Sequence, residues 1–171
     1  HGGDHPVGGP NGTLVVTLPT SRFDYLAPVP AARDLGVVHF IAIGGAGMSG
    51  VARVLIAQGI SVTGSDARDS AVVAALAEAG ARVWIGHDAA HVEGADTVVV
   101  SSAIREDNPE LAAARAGGLR ILHRSQALAA TMTDTHWRIA VAGANGKTTT
   151  TALFAYLLTA LGEDPSFVVG G

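Results

Sequence analysis

The chain has no cysteine, and this absence excludes disulfide bonds and thiolate metal sites. Charged residues are also scarce: they make up 15% of the 171 residues, and the formal net charge is -4. The chain is not basic enough to hold a nucleic-acid backbone by charge alone, so nucleic acid is not expected as a partner. No apolar run reaches the roughly 20 residues of a membrane helix, and the N-terminus lacks the pattern of a signal peptide. We therefore expect a cytoplasmic protein that does not bind membranes.

Hydrophobic residues are plentiful in contrast, at 48% of the chain, which is enough for a packed core. Residues 1–36 differ from the rest because they hold most of the prolines and begin with a run rich in Gly, Pro and His. We predict that 1–36 is a partly disordered N-terminal extension with one short strand at 14–18. The length suits one domain, or one domain and a piece of a second.

From Val37 onward, short apolar runs alternate with helical patterns. The apolar runs predict strands over 37–43, 60–64, 81–86, 96–103, 119–122 and 136–143, with one more over 166–169. The segments between them predict helices over 51–58, 70–79, 109–116 and 125–131, and a last helix that ends near residue 161. This alternation favours a parallel α/β sheet with helices on both faces and right-handed crossovers. We place a domain boundary near residues 131–135.

The first glycine-rich turn, GGAGMSG (44–50), lies between a predicted strand and a predicted helix. Gly45, Gly47 and Gly50 match G-x-G-x-x-G, in which the first glycine allows the turn, the second admits a diphosphate and the third lets the helix pack close to the strand. Free N–H groups and the helix dipole attract negative charge there. Asp66, at the end of the next strand, stands where dinucleotide-binding folds place an acid on the ribose. These residues leave open whether the ligand is NAD or another diphosphate nucleotide.

The second glycine-rich turn, GANGKTT (143–149), follows the apolar run RIAVA and opens a helix. Its backbone N–H groups would surround a β-phosphate, Lys147 would bring positive charge to the β- and γ-phosphates, and the Thr148 hydroxyl would ligate Mg²⁺. The spacing is G-x-x-G-K-T-T, because Val141 stands where the usual P-loop has its first glycine. The turn predicts ATP binding, which makes an electron-transferring NAD enzyme less favoured.

Seven segments, in the same order along the chain, resemble the Mur ligases of peptidoglycan-precursor synthesis. They are HFIAIGGAGMSG (39–50), GSD (64–66), IGHD (85–88), VVVSSAI (98–104), DNPE (107–110), GKTTTT (146–151) and DPSFVVGG (164–171). Within the family, GGAGMSG and SSAI are most similar to the enzymes that join L-alanine to UDP-N-acetylmuramate. Those enzymes usually carry Thr-His where this chain has Ala144-Asn145, and Asn is common there in ligases that add later amino acids.

The resemblance implies a Rossmann-like domain over 37–133 that binds a UDP-sugar, and the first strand, P-loop and helix of an ATP-binding α/β domain over 134–171. The implied substrate-binding residues are Gly45, Ala46, Gly47, Met48 and Ser49 at the diphosphate, Asp66 and His87 at the uridine, and Ser102 and Ala103 along the same cleft. The implied ATP-binding residues are Gly143, Ala144, Asn145, Gly146, Lys147, Thr148 and Thr149. Of these, Lys147 and Thr148 would be catalytic, and Thr148 would ligate the metal.

The implied reaction forms an amide bond, with ATP and Mg²⁺ as cofactors and with UDP-N-acetylmuramate and L-alanine as substrates. ATP phosphorylates the muramic acid carboxylate and the L-alanine amine displaces the phosphate, so catalysis rests on charge neutralisation and positioning. Because the family's other catalytic parts lie beyond Gly171, we expect this piece to bind UDP-sugar without ligase activity. Three alternatives stay open: an NAD-dependent oxidoreductase domain, a ligase that recycles murein tripeptide, and a non-catalytic regulatory module.

Other polar and aromatic residues are expected to be structural. Three histidines are too scattered in sequence to predict a zinc site: His87, His91 and His123. Glu106, Asp107 and Glu110 are expected to form a solvated helix start, where acids favour the helix dipole. Trp84 and Trp137 are expected to pack in the core or at the domain boundary.

Overall fold

The computed structural model describes residues 23–25, 27–135 and 137–168. The strand predicted at 14–18 and most of the N-terminal extension lie outside the described residues. Five parallel strands form one sheet in the order β3-β2-β1-β4-β5. They are β1 (Val38–Ile41), β2 (Val62–Asp66), β3 (Arg82–Ile85), β4 (Thr97–Val100) and β5 (Arg120–His123).

Helices follow the strands, and their ends agree with local sequence signals. The helices are α1 (Met48–Ala57), α2 (Ala71–Glu78), α3 (Pro109–Ala116), α4 (Arg124–Thr131) and α5 (Lys147–Ala160), with 3-10 helices at Ala32–Asp34 and Ala89–Val92. Ser70 caps α2 and Asn108 caps α3 by accepting hydrogen bonds from backbone amides. The five strands and four helices predicted between residues 37 and 131 are confirmed, each with boundaries within three residues. No helix among the described residues is long and apolar enough to cross a membrane.

The core has two apolar layers, one on each face of the sheet, because successive strand residues point to opposite faces. Phe40 of β1 packs in a buried cluster with residues of α1, α2 and α4. Ile41, the next residue, packs in a second cluster with α3 and the Ala89–Val92 helix. The predicted α/β fold, with a parallel sheet between helices on both faces, is therefore confirmed.

The order of the strands reverses beside β1. From β1 the chain moves to β2 and β3 on one side, and it then returns to β4 and β5 on the other. In open parallel sheets, ligands bind outside the carboxyl ends of the strands at such a reversal. The glycine turn at 44–50 directly follows β1, so the topology places this turn where a ligand is expected.

The strands predicted at 136–143 and 166–169 are wrong within the described part of the chain, because 137–143 and 163–168 form no strand. Trp137 is 88% exposed and Ile139 is 52% exposed, so the expected packing of Trp137 is also wrong. A strand needs a hydrogen-bonded neighbour and an apolar surface to cover it, and the described residues provide neither here. Helix α5 forms nevertheless, because its backbone hydrogen bonds are internal.

Candidate nucleotide-binding site

The glycine turn after β1 leaves backbone donors free at the start of a helix. Gly47 has a φ of +77° and precedes α1, which has no capping side chain. The amides of Gly45, Met48 and Ser49 donate to carbonyl oxygens inside the turn. Among the described residues, the amides of Ala46 and Gly47 donate to no acceptor. Unpartnered N–H groups at the positive end of a helix form a site for an anion.

Asp66 ties this turn to the end of β2. Its Oδ2 accepts a hydrogen bond from the Gly44 amide at 2.9 Å, and its Oδ1 accepts one from the Arg68 amide at 3.2 Å. Ala42, which joins β1 to the turn, has a φ of +63°, a conformation that costs free energy outside glycine. The Asp66 carboxylate therefore lies at the start of the turn and helps to hold its shape.

Arg124 is a candidate binding residue that no sequence motif marks. Its Nη1 donates a hydrogen bond to the Ala46 carbonyl oxygen at 2.9 Å. A Cβ added at Gly47 would lie 3.0 Å from the same nitrogen. The side chain is exposed, and no acidic side chain in the described ranges pairs with it. The folded sheet brings the end of β5 beside the turn and so places this guanidinium at the site, which the sequence alone does not predict.

The other residues of the turn divide between core and surface. Met48 is 2% exposed and packs in the core, so only its backbone could face a ligand. Ala46 is exposed and Ser49 is half-buried. A Cβ added at Gly50 would lie 3.0 Å from Cγ1 of Val168. The close neighbour of Gly50 is thus the segment after α5, and not the adjacent strand that the motif predicted.

Glu110 is buried, so the expectation of a solvated helix start is wrong for this residue. It lies in the first turn of α3 and is 0% exposed. Its Oε2 accepts a hydrogen bond from Ser65 Oγ at 2.6 Å and lies 2.9 Å from His87 Nδ1. Its Oε1 lies 2.9 Å from His91 Nδ1 and 3.6 Å from His39 Nε2, which is beyond hydrogen-bond distance. Three histidines, each at least 19 positions from Glu110 in the sequence, therefore surround this carboxylate.

These partners decide the charge of Glu110. Burial acts to raise the pKa of Glu110, but the interactions with His39, Ser65, His91 and His87 outweigh burial and lower the pKa to about 2. The carboxylate is therefore ionised at neutral pH and can only accept hydrogen bonds. No group of histidine and acidic side chains in the described ranges is arranged to hold a metal ion.

His87 follows β3, and its side chain is 24% exposed. His91 is held beside it by Trp84, whose ring stacks on the imidazole with centroids 4.9 Å apart and an interplanar angle of 14°. Arg82 covers the Trp84 ring at 4.7 Å. This packing of Trp84 fits its expected structural role and fixes the surroundings of His87.

Ser102 and Ala103 follow β4 and are exposed. His123, at the end of β5, caps α4 because its Nδ1 accepts a hydrogen bond from the Ser125 amide at 3.3 Å. Its Nε2 then carries the hydrogen and donates to Ser102 Oγ at 3.1 Å. The glycine turn, Asp66, His87 and Ser102 thus follow four neighbouring strands and lie along one edge of the sheet.

The second glycine turn also presents backbone donors at a helix start. Gly146 has a φ of +80° and precedes α5, which has no capping side chain. Lys147 Nζ donates hydrogen bonds to the carbonyl oxygens of Gly143 at 2.7 Å and Ala144 at 3.2 Å. Residues 142–150 are exposed, and Lys147 is the only lysine in the sequence. Exposed donors and one ammonium group fit a phosphate ligand.

A concave surface also lies at the opposite edge of the sheet. It encloses about 580 Å³ and is lined by Arg33, Asp34, Gly36, Asp96, Gly118 and Arg120. Two of its charged groups already bond to backbone: Arg120 donates to the Asp34 carbonyl oxygen at 2.8 Å, and Asp96 accepts from the Val37 amide at 2.8 Å. Because ligands of parallel sheets bind at the carboxyl edge, we assign the candidate site to the glycine turn.

The residues of this sheet match a known protein family. Residues 37–136, more than half of the chain, match the family described as "Mur ligase family, catalytic domain". The chain belongs to the Mur ligase family. Its Rossmann-like sheet, glycine turn and neighbouring strand ends all lie within the matched residues.

Individual Mur ligases extend the similarity. The UDP-N-acetylmuramate–L-alanine ligase of Renibacterium salmoninarum is 63% identical over 139 residues, which are 81% of this chain and 30% of that protein. The UDP-N-acetylmuramate-alanine ligase of Thermotoga maritima has a TM-score of 0.67 and 36% identity, over 72% of this chain and 29% of that one. The UDP-N-acetylmuramate:L-alanyl-gamma-D-glutamyl-meso-diaminopimelate ligase from Neisseria meningitides has a TM-score of 0.72 and 32% identity, over 80% of this chain and 43% of that one. This Mur ligase chain spans about a third of the length of the curated relatives it matches.

Proposed function

We propose that this chain is the nucleotide-sugar-binding part of a ligase that joins L-alanine to UDP-N-acetylmuramate, with ATP, in peptidoglycan-precursor synthesis. The observation that carries the proposal is the glycine turn at the strand-order reversal, with its two free amides and the guanidinium of Arg124 beside them. Membership in the Mur ligase family favours a ligase over an NAD-dependent oxidoreductase.

The turn at 44–50 is proposed to bind the diphosphate. The amides of Ala46 and Gly47 supply neutral donors, and the dipole of α1 adds partial positive charge. Arg124 adds a full positive charge and planar donors that match phosphate oxygens. Gly45, Met48 and Ser49 contribute through the backbone shape of the turn, since their amides close it internally.

The uridine is proposed to lie along the neighbouring strand ends. His87, Ser102 and Ala103 line this edge, and Asp66 supports the start of the turn. The partly exposed ring of His87 and the exposed Ser102 hydroxyl offer polar contacts to a nucleoside. Hydrogen bonds of this kind orient a ligand more than they add affinity.

We infer a division into an extension over 1–36, a UDP-sugar-binding domain over 37–133 and the start of an ATP-binding domain over 134–171. The uncapped start of α5 and the single lysine support phosphate binding by the second part. Lys147 and Thr148 would hold the ATP phosphates and Mg²⁺, and Gly143, Ala144, Asn145, Gly146 and Thr149 would complete the loop. Bound ATP supplies the phosphoryl group that activates the substrate carboxylate. These substrates imply a cytoplasmic enzyme.

A ligase that attaches a murein peptide to the same nucleotide sugar is the second candidate, favoured by the TM-score of 0.72 with the Neisseria meningitides enzyme. Sequence identity favours the L-alanine ligases: it is 63% with the Renibacterium enzyme, and among the solved structures it is 36% with the Thermotoga L-alanine ligase and 32% with the peptide ligase. We therefore propose the L-alanine step.

Thermal unfolding of this chain with UDP-N-acetylmuramate, UDP and NADH in parallel tests the proposal. A ligand present at 100 times its Kd stabilises the folded state by about 2.7 kcal/mol. We expect both UDP compounds to raise the melting temperature and NADH to leave it unchanged. Stabilisation by NADH alone would overturn the proposal in favour of a dehydrogenase-type domain.

A further inference from the structure

The two ring nitrogens of His87 lie in different surroundings. Nδ1 faces the interior, 2.9 Å from Glu110 Oε2 and 3.0 Å from Ser65 Oγ. Nε2 makes no hydrogen bond with the described residues. Within those residues, the only buried side-chain nitrogen or oxygen without a partner is His39 Nε2, so Nε2 of His87 is not buried. Nε2 of His87 therefore reaches the surface at the carboxyl edge of the sheet.

Glu110 determines which nitrogen carries the hydrogen. As an ionised group it only accepts hydrogen bonds, so the contact with His87 requires a hydrogen on Nδ1. The Ser65 hydroxyl donates to the same oxygen at 2.6 Å, and so it offers His87 only a lone pair. In a neutral imidazole with hydrogen on Nδ1, Nε2 is an acceptor.

Glu110 is also unable to turn away. The other carboxylate oxygen of Glu110, Oε1, lies 2.9 Å from His91 Nδ1. The backbone amide of Glu110 donates a hydrogen bond to Asn108 Oδ1 at 3.0 Å. The side chain is completely buried between α3 and the sheet. Because the carboxylate of Glu110 is fixed, it also fixes the ring orientation of His87, as a carboxylate commonly does for the histidine that donates to it.

We propose that Glu110 is a positioning residue for the nucleotide site: it holds His87 in the Nδ1–H tautomer, so that Nε2 accepts a hydrogen bond from the uridine. This inference rests on the proposed UDP-sugar site. An acceptor at this position selects a neutral donor, which in uridine is a ribose hydroxyl or the imide N–H of the base. It does not select phosphate oxygens, because these are acceptors themselves.

The tautomer is measured first, in the wild-type chain without ligand, by long-range proton–nitrogen NMR of the His87 ring at pH 8. Hydrogen on Nδ1 supports the inference, and hydrogen on Nε2 overturns it. This measurement does not depend on UDP binding, so it separates the role of Glu110 from the proposed function.

Binding is measured second, by calorimetry with UDP on the wild type, Glu110→Gln and a control, Glu78→Gln, which makes the same charge change at an exposed residue of α2. We expect UDP affinity to fall about 10-fold in Glu110→Gln, as for the loss of one hydrogen bond, and to stay within about 2-fold in the control. In Glu110→Gln, His87 is expected to show both tautomers. Unchanged affinity together with an unchanged tautomer overturns the inference.

Three UDP analogues locate the donor on the wild-type chain, which keeps the test valid if a variant folds poorly. They are 2′-deoxy-UDP, 3′-deoxy-UDP and N3-methyl-UDP. Weaker binding of one analogue than of UDP supports an acceptor that faces that donor, and equal binding of all four compounds overturns the inference. If the wild type does not bind UDP at all, the proposed function fails, and the NMR result alone decides the role of Glu110.

Discussion

The guanidinium of Arg124 donates a hydrogen bond to the carbonyl oxygen of Ala46 at 2.9 Å, across 78 positions of sequence. Arg124 opens α4 directly after β5, whereas Ala46 lies in the glycine turn after β1. The contact brings a full positive charge to the place where two backbone amides have no partner within the described part of the chain. An anion at this turn would thus meet donors from two separate elements.

Replacing Arg124 with glutamine is expected to weaken UDP binding about 10-fold, because a charge-assisted hydrogen bond to phosphate is lost. Uridine, which has no phosphate, should bind equally to both proteins. Arg53→Gln is the matched control, since Arg53 is exposed on α1 and the charge change is the same. Isothermal titration calorimetry at two salt concentrations measures these affinities. Equal losses for UDP and uridine would contradict a phosphate contact.

Gly47→Ala tests whether the turn must keep its left-handed backbone. Its φ of +77° is nearly the same as that of Gly59, at +79°, but only Gly47 has a close neighbour, Arg124 Nη1 at 3.0 Å from the added Cβ. Both alanine variants are expected to lose about 1 to 2 kcal/mol of unfolding free energy from the left-handed conformation. Only Gly47→Ala should also lose UDP affinity. Urea unfolding and calorimetry check the two effects, and equal UDP affinities would show that the turn does not contact the ligand.

The buried carboxylate of Glu110 predicts an acid-sensitive fold. Its pKa is lowered from 4.5 to about 2 in the folded chain, so the stability that it contributes is fully present above pH 4.5 and is lost as the pH falls toward 2. The contribution is on the order of 3 kcal/mol. Urea unfolding between pH 2 and pH 6 should show this loss in the wild type and a smaller one in Glu110→Gln. Parallel curves for the two proteins would contradict it.

Lys147 offers a chemical probe of the second glycine turn, because it is the only lysine in the chain. We expect Mg-ATP to slow acylation of Lys147 by an amine-selective reagent, about 10-fold when ATP is present at ten times its Kd. Mass spectrometry measures the rate, and the α-amino group serves as internal reference. UDP should give no protection. Equal rates with and without Mg-ATP would count against a phosphate site at Lys147.

Local patterns predict most of the sheet and its helices. The apolar run at β4 and the Asn108-Pro109 start of α3 are local signals that span only a few residues. The strand and the helix start can therefore be predicted from the sequence without knowing the fold. The apolar run at 137–143 is equally clear, yet it forms no strand in the described residues. A strand depends on a neighbour to pair with, and this neighbour is not encoded in the run itself.

The sequence by itself determined the alternation of strands and helices, the two glycine turns and the resemblance to the Mur ligases. These features depend on residue type and short spacing. Only the tertiary structure decided that Arg124 reaches the first turn and that Glu110 lies buried among His39, His87 and His91. Both depend on the order of the strands, which brings residues far apart in sequence within hydrogen-bond distance. From the sequence, Glu110 was expected to be an exposed acid at a helix start. A charge can be buried only where partners compensate it, and the sequence alone does not show that these partners lie nearby.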